Sequence, residues 1–197
     1  MRTSDFTVRE IFVTVGATAS FDELIERVLT IDFLDTAKEL RFNKITIQCG
    51  KSYPKFKKYM TEKDKAFEIS VFDFNEQGLG QEMRGTTAGA GRVPGVIISH
   101  AGSGSILDAM RLGCNIIVVP NETLLDNHQA ELADELEAQG YVTKGDIPNL
   151  SNALRRCATD VAIPPSYIWP QRGTGNNLAS IIDETVSREE ATRSHLD

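Results

Sequence analysis

Residues Val96-Ile97-Ile98-Ser99-His100-Ala101-Gly102-Ser103-Gly104-Ser105 decide how the rest of the chain is read. The short apolar run predicts a buried strand, and the glycine- and serine-rich stretch after it predicts a turn. Ile106 then opens an amphipathic helical run that Gly113 stops. A helix N-terminus carries unpaired N–H groups and the positive end of the helix dipole, so it attracts phosphate. Gly102 and Gly104 let the backbone approach a ligand closely, and Ser103 and Ser105 add hydroxyl donors. His100 stands at the carboxyl end of its strand, where open parallel sheets bind their ligands. The stretch therefore predicts an anion site suited to a nucleotide diphosphate, although a merely tight strand-to-helix connection accounts for the glycines equally well.

Outward from this stretch, the pattern repeats. Ile11–Val15 is a β-branched run ending at Gly16, small residues follow through Thr18 to Ser20, and Phe21, Leu24, Ile25 and Val28 recur at helical spacing. Ile45–Gln48, Phe67–Phe74 and Ile116–Val119 are further strands, and Tyr141–Thr143 is a short last one. Asn121–Asp126 forms a loop, and Asp126 or Asn127 caps a helix that runs to Gln139 and stops at Gly140. Gly78–Pro94 is expected to be a flexible loop with a short helix around Gln81–Arg84. Alternating strands and helices predict an α/β protein with a parallel sheet flanked by helices. We divide the chain into a ligand-binding domain, residues 1–148, and a C-terminal extension, residues 149–197, with a proline- and glycine-rich linker and a charged tail. In that extension Leu178, Ile181, Ile182 and Val186 make one apolar helical stripe, which serves either the domain's own sheet or a docking partner.

Composition narrows the classes. The 197 residues suffice for one domain with an appendage, and a net charge of −7 argues against a nucleic-acid partner and against adsorption to anionic lipid. No apolar run approaches the roughly 20 residues that span a bilayer, and the N-terminus lacks the apolar core of a signal peptide. Three widely spaced cysteines, Cys49, Cys114 and Cys157, form no metal-type pair and suit a reducing compartment, the cytosol. The lysine-rich segment 51–65 is a solvated face, or a surface for anionic headgroups or an acidic partner.

Neither glycine turn matches the G-x-G-x-x-G dinucleotide fingerprint, which disfavours NAD. His100, Ser103 and Asp108 hold the atoms of a hydrolase triad, but they crowd one turn and no G-x-S-x-G elbow is present. Asp108 is either the partner of Ser105 in a capping box or a carboxylate for a ribose diol; sequence alone favours the cap. Asp126 and Asn127 suit helix capping, whereas His128 and Gln129 have no capping duty and suit sugar hydroxyls.

Taken together, His100, Gly102, Ser105, Asp108, Gly113, Pro120 and the Asp126/Gln129 pair fall in the register of the carboxyl-terminal, donor-binding half of two-domain inverting glycosyltransferases, with Asp108 where related plant enzymes carry Glu. The segments FVTVGATASFDELI, ITIQCGKSY, VIISHAGSGSILDAMRLG and VVPNETLLDNHQAELADEL, spanning roughly residues 10–143, resemble the eukaryotic cytosolic subunit family of the UDP-N-acetylglucosamine transferase of dolichol-linked oligosaccharide synthesis, which carries a glycosyltransferase family 28 C-terminal domain. The tail containing IWPQRGTGNN resembles fungal members. The resemblance implies a Rossmann-like sheet equivalent to the C-terminal half of a GT-B enzyme, with UDP-GlcNAc as donor and no metal or cofactor. It also implies a membrane-anchored partner subunit that supplies the acceptor half, at the cytosolic face of the endoplasmic reticulum. Gly16, Thr18, Gly102, Ser103, Gly104 and Ser105 would face the diphosphate, His100 would stabilise the leaving group, and Asp108 would hold the ribose. Asp126, Asn127, His128 and Gln129 would contact the sugar. The implied reaction adds a second GlcNAc to GlcNAc-diphosphodolichol; the competing expectation is a stand-alone nucleotide-binding regulatory module.

Overall fold

The computed structural model describes residues 7–17, 20–61, 67–121 and 128–159. Six strands lie parallel in the order β3-β2-β1-β4-β5-β6. They are β1 (Glu10–Thr14), β2 (Lys44–Gln48), β3 (Glu68–Phe72), β4 (Val96–His100), β5 (Ile116–Val119) and β6 (Thr143–Lys144). The expected α/β class with a helix-flanked parallel sheet is what the chain forms.

Strand alternation sorts side chains to the two faces. Ile11, Val13, Ile45, Ile47, Ile98 and Ile117 point to one side and bury the helices α1 (Asp22–Val28), α2 (Ile31–Glu39) and α3 (Tyr53–Phe56) against it. Phe12, Ile97, Ile116 and Val118 point to the other, beneath α4 (Gly80–Gly85), α5 (Ser103–Arg111) and α6 (His128–Ala138). Apolar residues on both faces explain why these strands are continuous β-branched runs rather than alternating ones.

The last described helix, α7 (Leu150–Thr159), falls in the stretch that sequence assigns to the extension. Its Leu150, Ala153, Leu154 and Cys157 belong to the same core as β1 and α1. The remainder of the extension, including the 178–186 stripe, lies outside the described residues.

Two further departures have local causes. Helix α2 follows α1 after a break at Thr30, whose hydroxyl accepts from the Phe33 N–H and caps a new helix where sequence showed no strong signal. The segment expected to be a flexible loop is tied down: Val8 N–H donates to Gly91 O at 2.8 Å and Val93 N–H to Val8 O at 3.0 Å. Gly95 N–H also donates to Thr86 O at 2.8 Å. Gly113 and Gly140, both at positive φ, end α5 and α6 as expected.

At the amino end of the sheet Arg9 acts as a fastener. Its guanidinium donates to Pro94 O at 3.0 Å, to Leu40 O and to Ala158 O at 2.9 Å, and it stacks 4.4 Å over the Phe42 ring. It thereby joins the entry to β4 with the carboxyl ends of α2 and α7. Arg9→Met removes all of these charge-assisted bonds and is expected to lower unfolding free energy by about 2–3 kcal/mol, read as a shift in the urea midpoint. Arg9→Lys, with a single point charge, should recover less than half of that loss.

Candidate functional site

The strand order reverses direction between β1 and β4. From β1 the chain moves to β2 on one side, and from β4 to β5 on the other. These neighbours are in register, Thr14 opposite Ser99, so the turns after them emerge side by side. One feeds α1 on one face of the sheet and the other feeds α5 on the opposite face. Such a divergence opens a crevice beyond the carboxyl ends of the strands, the usual ligand position in open α/β sheets.

His100, the last residue of β4, fills the space between the two turns. A Cβ added at Gly16 would lie 2.4 Å from His100 Cε1, and one at Gly102 would lie 2.2 Å from His100 Nε2. Only glycine fits at either position. Gly16 also has φ +75°, a conformation that L side chains rarely adopt. His100 Nδ1 is buried without a hydrogen-bond partner among the described residues. Burial pushes the imidazole below its ordinary value, partly offset by a hydrogen bond to the Thr14 backbone, so the ring is neutral near pH 7.

Polar groups that sequence reasoning overlooked hold the Gly16 turn. The buried Gln48 carboxamide accepts from Thr14 Oγ1 at 2.8 Å and donates to Gly16 O at 3.2 Å and Asp73 O at 3.0 Å. One side chain thus joins the ends of β1, β2 and β3. Gly50, at φ +53°, approaches Gly16 O and the Phe74 ring, and Phe74 is half-exposed on the same rim. A glutamine closing the strand ITIQ before Cys-Gly was the available signal.

Helix α5 begins at Ser103, not Ser105, with Gly102 as an N-cap that offers no side-chain oxygen. The capping box expected between Ser105 and Asp108 is therefore absent: Ser105 is already the third helical residue. Asp108 lies about one and a half turns in, 61% exposed and paired with Arg111 at 3.1 Å. Gly102 displaces the serine as cap because the chain must pass close to His100 there. The first turn of α5 also contains no acidic residue, so its dipole is uncompensated from within the helix. Ser103 is buried, Ser105 half-buried and Gly104 exposed. Since Ser103 is buried while the Asp108 carboxylate pairs outward with Arg111, these residues do not assemble a hydrolase relay with His100.

Gln129, in the first turn of α6, accepts at Oε1 from the Asn121 N–H at 3.0 Å, which sequence did not foresee. Asn121, at the end of β5, also donates to Ser20 O at 3.4 Å and links this loop to the β1–α1 turn. His128 opens α6. Thr18, Asp126 and Asn127 lie outside the described residues. Among the described residues no three His, Cys, Asp or Glu side chains gather as a metal site. Cys49, Cys114 and Cys157 are buried thiols outside any disulfide, and burial pushes the Cys49 thiol up to about 12.

A parallel sheet of this order, with a glycine-bordered helix N-terminus at its switch point, defines a Rossmann-like α/β domain. More narrowly, the chain belongs to the glycosyltransferase family 28 C-terminal domain family, whose pattern matches residues 10–162. It is 36% identical over 191 residues to the UDP-N-acetylglucosamine transferase subunit ALG13 of Yarrowia lipolytica, covering 92% of this chain and 87% of that protein. The same subunit of Saccharomyces cerevisiae is 31% identical over 153 residues, covering 68% of this chain and 76% of that one. Among solved structures, the NMR structure of ALG13 is similar with a TM-score of 0.60 at 26% identity, covering 82% of this chain and 94% of that one. MurG of Acinetobacter baumannii shares the fold, with a TM-score of 0.54 at 17% identity; 94% of this chain matches 51% of that one.

The glycines separate by role. Gly102→Ala forces His100 or the turn to move and should destabilise by about 2 kcal/mol or more. A Cβ at Gly104 meets nothing within 4 Å, so Gly104→Ala should be neutral or stabilising by about 0.5–1 kcal/mol through helix propensity. Equal melting shifts for the two variants would refute the wedge.

The neutral His100 also sets a pH dependence. Its folded-state value lies below the ordinary 6.5, so below that pH the unfolded chain binds the proton more readily. This contribution to stability is complete above pH 6.5 and is lost as pH falls toward the folded-state value. The loss on moving from about pH 7.5 to 5.5 should be smaller in His100→Gln than in wild type, measured by urea denaturation.

Proposed function

We propose that this chain is the donor-binding subunit of an inverting N-acetylglucosaminyltransferase that uses UDP-GlcNAc and extends GlcNAc-diphosphodolichol. The observation that carries the reading is the convergence of the two glycine turns around His100, beside the uncapped start of α5. The names of the ALG13 relatives, transferase subunits for UDP-N-acetylglucosamine, support the choice of donor.

In this reading the donor diphosphate lies against Gly16, Thr18 and the first turn of α5. The backbone N–H groups from Ser103 to Ser105 and the half-buried Ser105 hydroxyl face its oxygens. Asp108 reaches the ribose, Phe74 offers an apolar face to the uracil, and Asp126, Asn127, His128 and Gln129 surround the sugar. The acceptor hydroxyl attacks the anomeric carbon from the side opposite the diphosphate. A new carbon–oxygen bond forms as the bond to the β-phosphate oxygen breaks, and UDP leaves with that electron pair. Negative charge grows on the diphosphate, where the helix dipole stabilises it most in the transition state while His100 holds in place the two turns that face it. The acceptor proton passes to a base on a second, membrane-anchored subunit, which supplies the acceptor half of the fold and recruits this chain to the cytosolic face of the endoplasmic reticulum. No helix among the described residues is long and apolar enough to cross a membrane.

A transfer assay with UDP-GlcNAc and a short-chain diphospholipid acceptor, run with and without the membrane subunit, tests this. Turnover should require both chains, and His100→Ala should lower kcat about a hundredfold with its fold retained. Calorimetry should show UDP-GlcNAc and UDP binding and no NADH binding. Absence of any uridine nucleotide binding, or a preference for NADH, would replace this reading with the regulatory-module alternative.

A further inference from the structure

The described lysines fall into two groups. Lys38, Lys44, Lys55 and Lys144 each have a carboxylate partner. Lys51, Lys57 and Lys58 have no ion-pair partner among the described residues, and all three are exposed within one short segment. In that segment Lys57-Lys58-Tyr59-Met60 forms a continuous exposed run, with Tyr59 40% and Met60 52% accessible.

The run is firmly presented. Phe56, just before it, is buried in the core, and its ring lies 6.2 Å from that of Tyr59. Just after it, Thr61 N–H donates to Ile69 O at 2.9 Å and Thr61 Oγ1 accepts from Ile69 N–H at 2.8 Å. These bonds fix the turn against β3, the edge strand of the sheet. Lys58 Nζ lies 5.2 Å over the Tyr59 ring, so cationic and amphipathic groups share one surface.

We propose that this edge, Lys57-Lys58-Tyr59-Met60, is a docking surface for anionic lipid headgroups. The net charge of −7 argues against adsorption of the chain as a whole. Charges more than about 10 Å away are largely screened at physiological salt, so a local cluster governs contact with a flat charged surface. Segment 57–60 contains two lysines, no acidic residue and no arginine. Lysine is a point charge suited to a diffuse field of headgroups, whereas protein interfaces are enriched in arginine and depleted in lysine. Tyrosine and methionine beside the lysines suit the headgroup boundary, where an aromatic body is apolar and its hydroxyl wet. The assignment is independent of the donor's identity.

Vesicle co-sedimentation of the full chain tests it, using phosphatidylcholine alone and phosphatidylcholine with about one third phosphatidylserine. Wild type should bind only the anionic vesicles at about 50 mM salt and release at about 500 mM. Each lysine near an anionic surface contributes about fivefold, so Lys57→Gln/Lys58→Gln should weaken binding about thirtyfold. Tyr59→Ser/Met60→Ser should also weaken binding to the anionic vesicles at about 50 mM salt. The control Lys38→Gln/Lys144→Gln, which removes equal charge from paired positions, should stay within about twofold of wild type. Equal loss in the control, or no binding of wild type to anionic vesicles, overturns the proposal. Tighter binding to polyglutamate than to the vesicles also overturns it, in favour of an acidic protein.

Discussion

The contact on which the site depends is the His100 ring lodged between Gly16 and Gly102. It locks together two turns that belong to different strand–helix units and leave the sheet in opposite directions. Neither glycine can acquire a side chain without displacing the ring, and Gly16 also needs its left-handed backbone. Gln48 completes the arrangement by holding Gly16 O from below and receiving the Thr14 hydroxyl. The geometry of the crevice is therefore set by one imidazole, two missing Cβ atoms and one buried carboxamide. All are placed by strands whose apolar faces are already committed to the core.

The opposite end of the molecule shows a different logic. There Arg9 gathers carbonyls from three segments, and Arg27 joins α1 to the approach to α7 through Ile147 O at 3.0 Å and Ser151 Oγ at 3.0 Å. Guanidinium groups satisfy helix-end and loop carbonyls that would otherwise face the low-dielectric edge of the core. Formal positive charge thus consolidates the fold away from the crevice. Around His100 the described groups include backbone dipoles, hydroxyls and the Gln48 carboxamide.

This division explains what was legible in the sequence. Strands were visible because burial on both faces demands β-branched runs such as Val96-Ile97-Ile98, and the glycine stops of α5 and α6 were visible because a left-handed residue must end them. The cap of α5 lies three residues earlier than the expected Ser105, because a serine is the usual cap and only the proximity of His100 explains why Gly102 takes that place. Gln48 went unnoticed because a polar residue closing a strand reads as solvated, and its three partners come from distant segments. Gly78–Pro94 looked loose because local composition cannot reveal that Val8, some eighty positions earlier, holds it on both sides.

The neutrality of His100 has a consequence for the chemistry. Placed beside the positive end of α5, a protonated imidazole would meet both the desolvation cost of its buried ring and repulsion from the helix dipole; both favour the neutral form. A neutral ring, its one N–H engaged by the Thr14 backbone, adds no formal charge that would hold a product diphosphate as tightly as the transition state. Stabilisation then rises only as charge develops on the leaving group, which speeds the bond-breaking step rather than merely tightening ground-state binding. The same burial leaves the ring confined by two backbone segments, a geometry ill-suited to a base that must meet an incoming hydroxyl. In the proposed reaction, proton removal is thus the step that His100 is least equipped to perform.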